Sequence, residues 1–394
     1  MSPLIITASS MVNALGRGKD ATLTALKDKR SGLQQSKNLE FSTWLGQVED
    51  VDNYPLEESL KNFICRNNQL AKLALDTDNF RHAVTEAIQK YGANRIGVFL
   101  GSSTSGSEET EKAYLNRDAN GALPADYDFM HTHNFTSLLD YTQQSLGLNG
   151  VGHVISTACS SSAKVFAAAH RHIESGYCDA AIVGGVDTLT QISLYGFNSL
   201  QLTSSEPCRP CDENRDGISI GEAAGFALLE VPTESSRGVL LKGYGESSDA
   251  YHMSTPHPEG RGAANAMQHA LTSAALAASD ISYVNLHGTA TPSNDASEDK
   301  AITSILGTQT PCSSTKGWTG HTLGAAGITE ALICMLVLEN QFLPANLNLK
   351  ILDPALSFHV LLDNSKPKQI LHYVMSNSFG FGGSNCSLIL GLQE

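Results

Sequence analysis

The stretch Ser156-Thr157-Ala158-Cys159-Ser160-Ser161-Ser162 places one cysteine between a strand-like run ending at Ile155 and a helix running to about Glu174. The first turn of a helix carries unpaired N–H groups and the positive end of the backbone dipole. Both favour S⁻ over SH and can hold an oxyanion formed beside the sulfur. Cys159 in that setting reads as an activated nucleophile. A lone cysteine is more often plain core, so the reading needs support from elsewhere in the chain.

Two segments supply it. His287 sits at the end of the β-type run that starts at Ile281, and strand ends are where the sites of α/β proteins gather. His321 lies in Lys316-Gly317-Trp318-Thr319-Gly320-His321-Thr322-Leu323-Gly324-Ala325-Ala326-Gly327, small residues that permit close backbone approach, just before a helix from Ile328 to Leu338. Three reactive side chains at three element termini outweigh a separate core reading of each.

Around these segments strands and helices alternate. Leu4 to Thr7, Arg95 to Leu100, His153 to Ser156, Asp179 to Gly184 and Gly225 to Val231 read as strands, which predicts a mostly parallel sheet with crossover helices. After the polar bridge Pro232 to Gly238 the alternation restarts with Val239 to Tyr244, a helix from about Ala263 to Ala278, and Ser282 to Leu286. The halves, 1–234 and 235–394, echo one another. In the first, Cys159 opens an apolar helix and Gly225 to Val231 closes the unit; in the second, His321 precedes a similar helix and Cys386 to Leu390 closes it. Helices apolar on nearly every face belong in the centre of the molecule.

The chain resembles the β-ketoacyl-acyl carrier protein synthases, the condensing enzymes of fatty acid and polyketide assembly, in their Cys-His-His branch. The likeness covers nearly the whole length. It rests on Thr157-Ala158-Cys159-Ser160-Ser161-Ser162; Arg209-Pro210 with Asp212 and Arg215-Asp216-Gly217; and His287-Gly288-Thr289 with Thr291-Pro292 and Asp295. Ser314-Thr315-Lys316 with Gly320-His321-Thr322-Leu323-Gly324 and Asn377-Ser378-Phe379-Gly380-Phe381-Gly382-Gly383 complete it. The resemblance implies a thiolase-like duplicated five-layered α/β/α/β/α fold with the site between the halves, an acyltransferase, and no cofactor beyond substrates carried on the phosphopantetheine of acyl carrier protein.

It also implies roles. Cys159 takes the acyl group from a carrier thioester, with the N–H groups of Cys159 and Phe381 as oxyanion donors. His287 and His321 serve malonyl decarboxylation and the enolate, and the enolate carbon then attacks the acyl group. Covalent capture splits one difficult condensation into two easier steps. Lys316 favours anions in the site, with Glu330 as its counter-charge. Thr289 and Thr291 match positions that bind the phosphopantetheine arm, Phe381 matches a gatekeeper beside Phe379, and Asp295 is a supporting residue. A carboxylate at Glu330, in an apolar helix, needs a partner.

The composition agrees. At 394 residues the chain can enclose a large core and an acyl tunnel. Eight scattered cysteines and no secretory signal before Pro3-Leu4-Ile5-Ile6-Thr7 predict a cytoplasmic protein. The longest unbroken apolar run, Ala331 to Leu338, is too short for a membrane span. A net charge of −14, from 26 basic and 40 acidic residues, argues against nucleic acid as partner. An acidic carrier protein would then need a local basic patch, for which Lys61, Arg66 and Lys72, with Lys112 and Arg117, are candidates.

Cys208-x-x-Cys211 lacks a second pair to complete a zinc site, and Cys211 stands where the family usually has an aromatic residue, which predicts a reshaped acyl pocket. His131-x-His133 reads as a polar loop. No metal and no nucleotide are implied. The run His287 to Asp295, with the C-terminal segment, resembles ketosynthases of aryl polyene pathways. That points to a heterodimer with a catalytically silent chain-length-factor-like homologue; otherwise a homodimer is expected. Four rival readings stand beside the synthase. A non-catalytic chain-length partner would lack the cysteine. An initiating synthase would carry asparagine at 321, and a thiolase a second catalytic cysteine, for which Cys386 is the nearest candidate. A cysteine hydrolase is the last.

Overall fold

The computed structural model describes residues 1–393. Its main sheet follows one hydrogen-bonded path that is nearly symmetric about its centre. From the outer edge of the first half the order is Gly152–Ile155, Ile96–Gly101, Ala180–Asp187, Ala223–Glu230 and Leu4–Asn13. The second half continues from Gly238–Ser248 through Ser384–Gln393, Tyr373–Gly380 and Ile281–Asn285 to Pro311–Ser313, with the short His359–Val360 beyond. Within this sheet the halves join where Leu4 and Ile5 pair with Leu241 and Leu240.

The expected duplication is present, but the expected pairing is not. Parallel ladders are confined to the outer strands of each half. The inner strands, from Ala180–Asp187 across to Tyr373–Gly380, all pair antiparallel. Apolar alternation marks a strand but carries no sign of its direction, so the sequence pattern could not distinguish the two.

Between the halves lie the helices Ser161–Glu174 and Ala326–Asn340. The second is buried from Ala326 to Leu338, its wall formed by Ile328, Leu332, Met335 and Leu336 within the largest apolar cluster. The stretch Leu323–Asn340 is long and apolar enough to cross a membrane, yet 89% of it is buried inside the protein, the position of a central core helix. The first helix departs from the expectation of an apolar surface all round: Lys164 and Arg171 emerge from it to reach Glu246.

The two helices meet near their N-termini. A Cβ built on Gly327 would lie 2.3 Å from the backbone nitrogen of Ala163, and the Ile328 N–H donates to Ser162 Oγ at 2.9 Å. Only glycine permits that approach. We therefore expect Gly327→Ala to cost about 1–3 kcal/mol or more through overpacking. Urea denaturation should show a lowered midpoint with little change in slope, and an unchanged midpoint would show that the contact is loose.

Candidate active site

The chain reaches Cys159 through a tight turn after the Gly152–Ile155 strand, with Ala158 in the left-handed region at φ +51°. The helix proper begins at Ser161, so Cys159 stands just ahead of its first turn. His287 follows the Ile281–Asn285 strand, and its backbone N–H and that of Gly288 donate to the two oxygens of Glu298, each at 2.8 Å. His321 follows the short helix Lys316–Thr319; its own N–H donates to Ser219 O at 2.7 Å and its carbonyl accepts from Gly221. Each reactive side chain is thus anchored through its backbone rather than left on a free loop.

The three converge. The sulfur and the nearest ring nitrogens lie within 4.8 Å of one another, and all three residues are buried. His321 Nε2 is 3.1 Å from Cys159 Sγ, and the two imidazoles cross edge to face at 5.4 Å. They line a pocket that also receives Thr289, Thr291, Phe379 and Phe381. Phe197, Leu202 and Ile218 give it an apolar wall.

Hydrogen bonds choose the tautomers, which sequence leaves open. The Leu323 N–H donates to His321 Nδ1 at 3.2 Å, so a neutral ring carries its proton on Nε2. Lys316 Nζ lies 3.4 Å from His287 Nδ1 and also donates to the His287 carbonyl. Lysine is donor only, so His287 likewise presents Nε2–H. Burial first, then the Lys316 charge, holds both imidazoles well below the ordinary histidine value. Both rings are therefore neutral N–H donors.

Lys316 is 1% exposed and is ion-paired with Glu330 on the central helix. Burial pushes the Glu330 carboxyl up to about 7 against the pull of that ammonium. Glu298, behind His287, is raised to about 7 by burial as well, opposed by the two N–H groups it accepts.

Cys159 departs from its expected activation. Burial pushes its thiol up to about 11, and the Lys316 charge and the N–H groups of Phe381 and Cys159 only partly offset this. The sulfur sits out of water, which disfavours its charged form. Those same two N–H groups face the sulfur, where an oxyanion on a bound acyl group would develop.

Thr289 and Thr291 bond to one another through their hydroxyls at 2.9 Å on the pocket wall. Phe381 packs at a tilt against Phe197, with ring centroids 5.6 Å apart, beside Gly382 and Gly383, which both have positive φ. Phe379 lies 5.8 Å from His287. Asp295 does not reach the pocket: it accepts the Cys211 N–H at 2.9 Å and faces Arg215 Nε at 3.3 Å, bracing the 209–216 loop.

Cys211 itself packs into the second-half core with Met267, Cys312 and Met375 and does not line the pocket, against the expectation that it reshapes it. Cys208 points its sulfur at the Lys316 carbonyl. His131 and His133 take separate partners, Asp128 and Thr110. The expected basic patch is also absent as such. Arg66 is buried against Glu222 and Asp52, Lys72 pairs with Asp76, Lys112 with Glu109, and Lys61 with Glu58, while Arg117 lies over the Tyr114 ring.

Glu298 and Asp249 went unread in the sequence. Glu298 sits three residues after Asp295, one helical turn on, which puts both carboxylates on the same face of Pro292–Leu306. Asp249 lines the pocket and accepts from Asn385 at 2.8 Å, in a segment with no periodic signal. Among the described residues the trio is the one His/Cys/Asp/Glu group close enough for a metal ion, and the Lys316 charge beside it opposes a cation.

Known proteins match this arrangement. Residues 1–234 fit the family model described as beta-ketoacyl synthase, N-terminal domain, and residues 239–350 that described as beta-ketoacyl synthase, C-terminal domain. The chain is 31% identical to a 3-oxoacyl-[acyl-carrier-protein] synthase 2 of Vibrio cholerae, over 98% of each chain. A namesake from Staphylococcus aureus is 32% identical over 88% of this chain and 93% of its own. Among solved structures, a ketosynthase in complex with its chain length factor from Xenorhabdus doucetiae is 38% identical with TM-score 0.91, covering 100% of this chain and 98% of that one. A beta-ketoacyl synthase from Burkholderia phymatum is 28% identical with TM-score 0.89, covering both chains fully.

A thiol held near 11 sets a pH profile. Iodoacetamide alkylation of Cys159, followed by mass spectrometry, should accelerate roughly tenfold per pH unit from 7 to 10 as the thiolate fraction grows. A plateau already reached at pH 7 to 8 would mean that a thiolate is present at rest.

Proposed function

Because the chain belongs to the beta-ketoacyl synthase family, we propose that it condenses an acyl group held on Cys159 with malonyl-acyl carrier protein, giving 3-oxoacyl-acyl carrier protein. The observation that carries this reading is the convergence of one sulfur and two neutral imidazole N–H donors around a single buried pocket.

In the first half-reaction the Cys159 sulfur attacks the acyl thioester carbonyl. Its proton leaves with the departing pantetheine sulfur, and the Cys159 and Phe381 N–H groups hold the tetrahedral oxyanion. Losing one donor of this kind typically costs roughly 3 to 4 kcal/mol.

In the second, malonyl thioester loses carbon dioxide and the electrons of the broken C–C bond pass into an enolate. The enolate oxygen lies between His287 Nε2–H and His321 Nε2–H. Its carbon attacks the acyl carbonyl, and the Cys159 sulfur leaves as thiolate and takes a proton from solvent. Lys316 holds the His287 ring in place, and burial together with the Lys316 charge keeps both imidazoles from taking the proton themselves. Thr289 and Thr291, on the pocket wall, bind the pantetheine arm. The rival roles fit less well: a silent partner has no use for Cys159, and Cys386 lies fully buried in a closing strand, away from the pocket.

The finer reading is an aryl-primed polyene substrate and a chain-length-factor-like partner. Two things support the partner: the likeness to a ketosynthase solved with its chain length factor, and the free outer edge of the Gly152–Ile155 strand, which has unpaired backbone groups to offer a second chain.

Mixed with acyl carrier substrate, the protein should show an acyl adduct on Cys159 by mass spectrometry and form 3-oxoacyl product only after malonyl carrier is added. Cys159→Ala should abolish adduct formation. His321→Ala should spare acylation and lower condensation by at least about 100-fold. Equal loss of both steps in the histidine variant would contradict this division of labour.

A further inference from the structure

Asp187, the last residue of the Ala180–Asp187 strand, is fully buried and carries no basic partner among the described residues, yet its carboxylate accepts from donors on two separate segments. From the 102–104 loop come Ser102 Oγ at 2.7 Å, the Ser103 N–H at 2.9 Å with its hydroxyl at 2.5 Å, and the Thr104 N–H at 2.9 Å with its hydroxyl at 2.8 Å. From the second half comes the Gly324 N–H at 2.5 Å, which also lies 3.0 Å from Ser103 Oγ. A buried carboxylate with this many donors is a fixed point.

Gly324 follows Leu323, the residue whose N–H sets the tautomer of His321. Leu323 is held at φ +52°, a conformation that a branched residue keeps only where its surroundings impose it. The Gly324 bond to Asp187 supplies that constraint from the following peptide. The fit is close: a Cβ on Gly324 would lie 2.7 Å from both Asp187 Oδ2 and the Ser103 nitrogen.

We propose that Asp187 is a positioning residue for His321, clamping the Leu323–Gly324 peptide of the second half onto the Ser102–Thr104 loop of the first so that the Leu323 N–H stays on Nδ1 and Nε2–H stays aimed at the pocket. It acts only through His321 and touches neither the sulfur nor the substrate. The proposal rests on the condensing role given above and adds to it a residue outside the pocket that governs the decarboxylation half of the reaction.

The test is Asp187→Asn, which keeps the shape but turns an amide NH₂ toward donors that need an acceptor. Three quantities are read: carbon dioxide release from malonyl carrier, Cys159 acylation, and the ¹⁵N signals of His321 in histidine-labelled protein. Decarboxylation should fall at least about tenfold further than acylation, as expected for a displaced donor. The Nε2–H pattern of His321 should give way to a mixture of tautomers. If both half-reactions change by the same factor, or neither changes, and the nitrogen signals match the unsubstituted protein, Asp187 merely supports the fold and the proposal is overturned.

Should Asp187→Asn not fold, Ser103→Ala removes one donor to Asp187 and the second acceptor of Gly324. It should show the same split at smaller size, and its absence there is equally decisive. If the unsubstituted protein releases no carbon dioxide, the condensing role fails on its own account, and the nitrogen signals still judge Asp187.

Discussion

The close approach of two helix ends sets everything else in this molecule. Cys159 stands just ahead of one central helix and His321 a few residues ahead of the other, and the two can share a pocket only because Gly327 lets the second helix lie against Ala163. The Ser162 hydroxyl, bonded to the Ile328 N–H, fixes how far apart they stand. The duplicated sheet holds each helix at the same place in its half, so one chain can bring residues 162 positions apart to 3.1 Å. A nucleophile from one copy and an N–H donor from the other make a site that neither half contains alone.

Within that frame the costly element is Lys316. An ammonium sealed from water is tolerable only with a carboxylate and acceptors around it, and Glu330 and the His287 carbonyl provide them. Its charge also opposes protonation of both neighbouring imidazoles, which burial already disfavours. A buried ion pair is weak evidence of stabilisation in general. Here its effect on the histidines gives a chemical reason for it.

Much of this was legible in the chain, for identifiable reasons. Strand ends and helix starts are marked by composition, so Cys159, His287 and His321 stood out at element termini, and the echo between halves followed from the repeated run of apolar helix and closing strand. Strand direction was not legible, because a buried strand is apolar whether its neighbour runs with it or against it. Nor was the ionic state of Cys159: the dipole argument sees only the local backbone, whereas burial of the sulfur is a property of the whole fold. Arg66 and Lys72 failed as patch residues for the same reason, since their partners Glu222, Asp52, Asp76 and Glu57 lie on other turns or other segments. Cys211 looked like a pocket residue by position in a motif, and only the fold places it in the second-half core cluster.

The tautomers tie these strands of argument together. An enolate needs neutral donors that do not surrender their protons, and a protonated imidazole beside it would quench the carbanion before it met the acyl group. Two different devices at Nδ1 meet that need: a lysine ammonium for His287 and a backbone N–H for His321. The first works by charge as well as direction and needs a buried counter-ion. The second works by direction alone, and it is only as good as the peptide that carries it. A left-handed leucine followed by a clamped glycine is what makes that peptide rigid, so the neutrality of His287 rests on burial and then on the lysine charge, and the aim of His321 on backbone geometry.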